Sequence, residues 1–163
     1  MSLLLELDYH GHRASIKGAL KRGNMKPQFD LSQAEGMPHF TIEGTMPSLN
    51  EYLAEVGRNP RLGGKLKRDY VNNVILYLRL SEYRHFQATK PVIIHYVFYE
   101  PNMKRDHDNV ASVASKFIQD ALRDMEVIAD DGWKDILNFT HDFYLDRNNP
   151  RIEVYIEEID DGK

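Results

Sequence analysis

The run Val92-Ile93-Ile94-His95-Tyr96-Val97-Phe98-Tyr99 constrains the fold more than any other feature of the chain. Its residues are β-branched or aromatic at almost every position, which suits a pleated strand. Successive side chains of a strand point to opposite faces, so this one carries apolar groups on both. It belongs in the middle of a sheet whose two faces are both covered. His39-Phe40-Thr41-Ile42-Glu43-Gly44 alternates and closes on glycine, predicting a second strand, and residues 136–145 predict a third. Arg147-Asn148-Asn149-Pro150 reads as a hairpin turn into a last alternating strand, Ile152-Glu153-Val154-Tyr155-Ile156.

Between the strands the period changes. Ser48 can cap a short helix running through Tyr52 and Val56. A basic loop containing Gly63-Gly64 follows, and then Leu66, Tyr70, Val74 and Leu78, flanked by Val71 and Ile75, form a helical stripe over residues 65–80. Val110, Val113, Ala114, Phe117, Ala121 and Leu122 mark another amphipathic helix. The class expected is α+β, a small mixed or antiparallel sheet with two main helices. Residues 1–37 read as an N-terminal extension, with a short strand over 3–9 and a basic helix or loop over 13–22. Residues 38–163 read as the main domain.

A chain of 163 residues without a cysteine holds one ordinary domain and excludes a disulfide scaffold, a cysteine zinc site and a cysteine nucleophile. Its apolar runs fall short of the roughly 20 residues that span a bilayer, and its first residues lack a basic leader, so a cytoplasmic protein with no membrane partner is expected. The net charge of −4 runs against polyanion binding. The distribution is more favourable, since Arg58, Arg61, Lys65, Lys67 and Arg68 cluster without an acid among them.

The densest polar signal is Lys104-Arg105-Asp106-His107-Asp108-Asn109, between the central strand and the next helix. Asp106 and Asp108 are two apart, so an extended backbone puts both carboxylates on one side, with His107 on the other. Paired carboxylates repel unless a cation intervenes, and hard oxygen donors suit Mg²⁺ or Mn²⁺. The structural alternative is that Asp108 or Asn109 caps the helix beginning near Val110 while Asp106 pairs with Lys104 or Arg105. Asp130-Asp131 is the second acidic signal, and Asp-Asp-Gly is also a turn sequence. A helix of about 14 residues, roughly 21 Å long, separates the two, and a chain returning along it brings Asp131 back toward Asp106 and Asp108. Lys116, on that helix, is placed to neutralise a phosphate. Trp133, the sole tryptophan, reads as a core residue rather than a base-stacking platform.

The constellation resembles the RusA-type Holliday-junction resolvases common in phages and prophages, over roughly residues 39–158. Gly44-Thr45-Met46-Pro47-Ser48-Leu49-Asn50-Glu51-Tyr52 is similar to that family's opening motif, and Gly63-Gly64-Lys65-Leu66-Lys67-Arg68-Asp69-Tyr70 to its following basic helix start. The order Arg105-Asp106-His107-Asp108-Asn109, then Lys116 through Leu122, then Val127-Ile128-Ala129-Asp130-Asp131 is the most specific part. The founding member carries its lysine where this chain has Ser112; Lys116 lies one helical turn further on the same face. The resemblance implies Mg²⁺, with Mn²⁺ able to substitute, held by Asp106, Asp108 and Asp131. Asp130 would support the site, Lys116 would be essential to cleavage, and Asp120 would be structural. It implies a homodimer that binds branched DNA and nicks two strands, with Arg58, Arg61, Lys65, Lys67, Arg68, Lys104 and Arg105 as the expected DNA contacts. A DNA-binding module without catalysis, and a metal nuclease acting on forks or flaps, are the alternative expectations.

Overall fold

The computed structural model describes residues 26–160. The strand and basic helix expected within the first 25 residues lie outside that range. Among the described residues the architecture is α+β, with three α-helices and one four-stranded mixed sheet. The strands are β1 (His39–Glu43), β2 (Val92–Glu100), β3 (Ile136–Leu145) and β4 (Arg151–Glu158), in the order β1-β4-β2-β3. β2 is central as expected, parallel to β3 and antiparallel to β4.

That order corrects the hairpin expected at residues 147–150. β2 separates β3 from β4, so the turn carries the chain across the end of β2 rather than to an adjacent strand. Asp146 organises the crossing: its N–H donates to the Glu100 carbonyl (2.9 Å), and its carboxylate accepts from the N–H groups of Asn148 and Asn149 (3.2 and 3.1 Å). β4 is buried on both faces over its first six residues, not half-exposed as its alternation suggested.

The helices are α1 (Leu49–Arg58), the short helix expected after Ser48, and the two longer ones, α2 (Pro60–Arg79) and α3 (His107–Asp124). Ser48 caps α1 through a reciprocal pair: Glu51 N–H donates to Ser48 Oγ (3.3 Å), and Ser48 N–H donates to the Glu51 carboxylate (2.6 Å). The basic stretch expected as a loop is instead the start of α2. Asn59 caps it by accepting from Arg61 N–H (3.0 Å), and Pro60 fits the first turn, where its missing N–H costs nothing. Gly63 permits the close approach of α2 to α1, since a Cβ there would lie 2.4 Å from Val56 Cγ2.

The side chains of β2 explain its composition. Val92, Ile94, Tyr96 and Phe98 pack toward the helices with Val74, Leu78, Phe117, Ile118 and Leu122. Val97 and Tyr99 face the other way and pack with Phe29, Ala34, Tyr144 and Tyr155. Phe29 stacks flat on His95 at 4.0 Å, and Asp142 accepts the N–H groups of Gln28 and Phe29 (both 2.8 Å). Residues 28–37 thus cover part of the sheet face opposite the helices.

Candidate active site

The connection from β2 to α3 carries the first acidic signal. α3 begins at His107, three residues earlier than expected, so Asp106 and not Asp108 or Asn109 holds the N-cap position. Asp106 makes no side-chain capping hydrogen bond, and Asp108 lies in the exposed first turn. Neither carboxylate has an ion-pair partner among the described residues. The capping and pairing alternatives therefore do not account for either group. His107 between them stacks flat on Phe143 at 4.0 Å, which pins the start of the helix to β3.

Arg105 is not turned toward solvent as a DNA contact would be. Its guanidinium donates to Glu100 (2.9–3.1 Å), to the Met46 carbonyl (2.7 Å) and to Glu51 (3.2 Å). It ties the end of β2 to the turn before α1 and so positions the loop that presents Asp106. Lys104 remains exposed on that loop.

The second acidic signal returns to the same helix, about halfway along it. Lys116 Nζ donates to Asp131 Oδ2 (2.9 Å) and pairs with Asp120 Oδ1 (3.0 Å). Arg123 lies 3.8 Å from Asp131, and Asp130 Oδ1 accepts the Asp131 N–H (2.9 Å). Lys116 stands eight positions beyond Asp108, or about 12 Å of helix axis. Asp108, Ser112, Lys116 and Arg123 recur at helical spacing and form one exposed strip, with Asp131 beside its middle.

The gathering of Asp106, Asp108 and Asp131 around one cation, expected from the sequence, is not the arrangement described. Among the described residues no group of three or more His, Asp or Glu side chains is set to hold a metal ion. Asp131 meets Lys116 instead, eight positions along α3 from Asp108. Asp131 is neutralised by Lys116, whose hydrogen bond holds its carboxyl below the usual range, and the same contact raises Lys116. The donor chemistry still fits a hard cation. Asp106 and Asp108 offer uncommitted oxygens, and Asp131 offers a third once parted from Lys116.

Asp120 is a helical partner of Lys116 at four residues' spacing and also meets a cation of α2. Burial pushes its carboxyl up, and hydrogen bonds from Lys67 and Lys116 more than reverse this. Lys67 Nζ lies 2.9 Å from Asp120, so this lysine ties α2 to α3 instead of facing DNA. Arg58 pairs with Glu55 at 3.0 Å, and Lys65 lies 3.9 Å from Asp69. Arg61 and Arg68 are exposed with no ion-pair partner among the described residues. No sequence signal singled out Ser115, whose hydroxyl meets His141 Nε2 at 2.8 Å and fixes β3 against α3.

Fold and site together define an α+β domain with a strip of mixed charge on one helix, carboxylates at its start and cations beyond them, and a basic face on its neighbour. A scan against models of known protein families matches none of them to the chain. A search of curated proteins likewise finds no match.

Proposed function

We propose that the chain is a metal-dependent endodeoxyribonuclease that acts as a homodimer and nicks branched DNA, with the four-way junction as its substrate. The observation that carries this reading is the pair Asp106 and Asp108, two exposed carboxylates at one helix terminus that no capping bond or ion pair among the described residues accounts for. The return of Asp131 to the same strip supports it.

Asp106, Asp108 and Asp131 would hold Mg²⁺ or Mn²⁺, with Asp130 steadying the Asp131 backbone. When bound, the cation supplies an activated water and charge neutralisation at the phosphodiester. Lys116, once parted from Asp131, presents its ammonium to a phosphate or leaving oxygen. Arg61, Lys65 and Arg68 recur at four and three residues along the exposed side of α2, where they follow a phosphate backbone without reading bases. Two symmetry-related copies supply the two sites that paired nicks require.

The test is a synthetic four-way junction incubated with and without Mg²⁺. Symmetric nicks that need Mg²⁺ are expected, with less cleavage of fork and linear duplex. The closed Lys116–Asp131 pair favours one second reading, a DNA-binding module without catalysis. That reading predicts junction binding with no strand cleaved at any Mg²⁺ concentration.

A further inference from the structure

Trp133 is the chain's only tryptophan, and it is 97% exposed. This reverses the core position expected from sequence. A tryptophan is usually largely buried, because its large apolar surface is costly to leave in water. Leu137 and Phe139, 47% and 46% exposed, follow on the same stretch as it enters β3. Trp133 is also two residues from Asp131, whose carboxylate meets Lys116 on α3.

We propose that Trp133 is a stacking platform for an unpaired base of a DNA strand lying along the exposed strip of α3. The identity of the strand rests on the nuclease reading; the platform itself rests on the exposed ring. A base offers a flat face of any sequence, and stacking needs only one side of the indole. The neighbouring Lys134 is exposed and has no ion-pair partner among the described residues, so it can meet a flanking phosphate across the charge of Asp130, Asp131 and Asp135.

A second copy of the chain is the competing occupant, because β3 is an edge strand among the described residues. Two of its backbone donors are already engaged, however. Phe139 N–H donates to Asn138 Oδ1 (2.8 Å) and His141 N–H to Gln28 Oε1 (3.0 Å). An edge whose N–H groups are held by side chains is a poor template for another strand. Charged neighbours such as Asp130, Lys134 and Asp135 are also depleted from the buried centre of protein interfaces.

The single indole reports on its own occupancy. Its fluorescence is followed while the protein, in Mg²⁺, is titrated with oligodeoxythymidylate of about ten nucleotides, within the span of single-strand grooves, and separately with blunt duplex. Quenching and loss of acrylamide access are expected with the single strand and not with the duplex. Trp133→Ala should weaken single-strand binding roughly 5- to 100-fold, while Trp133→Phe retains most of it. Emission unchanged by single strand overturns the proposal. So does an emission shift that follows protein concentration alone, which would assign the surface to a second copy. Single-strand stacking in a protein that never nicks a junction upholds the platform and removes the nuclease reading. Junction nicking accompanied by unchanged single-strand binding in Trp133→Ala does the reverse.

Discussion

Asp106 and Asp108 stand at an exposed helix end and make no capping hydrogen bond or ion pair among the described residues, so substitution there tests chemistry more than stability. Asp108→Asn should abolish Mg²⁺-dependent nicking while junction binding is kept or strengthened, because it removes a donor oxygen and a charge that repels phosphate. Gel shift and nicking assays on one preparation separate the two effects; loss of both in a folded protein would indicate a structural role. His141 tests a different property. Burial holds its imidazole below the ordinary value, opposed by the nearby Asp142 carboxylate. The unfolded chain therefore takes up the proton first, and stability should decline as pH falls through about 6.5 toward the lower folded value, with no penalty above it. Thermal unfolding at pH 5 and 7.5 measures this. His141→Gln should flatten the difference, and an unchanged difference would place the acid sensitivity elsewhere.

α2 divides its cations between two tasks. Lys67 is turned to the largely buried Asp120 of α3, while Arg61, Lys65 and Arg68 share the outer face. Replacing those three with alanine should weaken junction binding and lower the slope of log affinity against log salt by about 0.9 for each phosphate no longer neutralised. Saturating DNA should restore most of the nicking rate. Lys67→Ala should leave the salt slope alone and instead cost about 1–3 kcal/mol of stability, since it strips a partner from a buried carboxylate. Urea unfolding and salt-dependent titration of both variants give the two readouts. A triple variant with parental affinity and slope would make that face ordinary solvated surface. The helical period places Lys65 and Arg68 on α2, whereas Gly63-Gly64 suggests a break before them. Asn59, Pro60 and the packing of Gly63 on Val56 override that suggestion.

At the scale of the molecule the sheet is covered on both sides, by the helices and in part by residues 28–37. Phe29→Ala removes the ring that stacks on His95 and packs against Tyr155. It should cost about 3–5 kcal/mol, seen as a lower urea midpoint with an unchanged slope; a neutral result would make this segment dispensable to the fold. Much of the architecture was legible in the sequence because its causes are local. The double-faced apolar run marks β2, Ser48 marks the start of α1, and the 3.6-residue period marks α2 and α3. The two acidic signals were legible for the same reason, as short polar clusters flanking one periodic segment. Contacts between distant parts of the chain decided the rest. The placement of β2 between β3 and β4 depends on pairing across sequence, which no turn motif encodes. Arg105 closes on Glu100, Met46 and Glu51, and Lys116 on Asp131, because tertiary packing brings those groups within hydrogen-bond reach. Residue type says which side chains carry charge or a ring; only the packed structure determines which of them are already paired and which, like Asp106, Asp108 and Trp133, are left facing solvent.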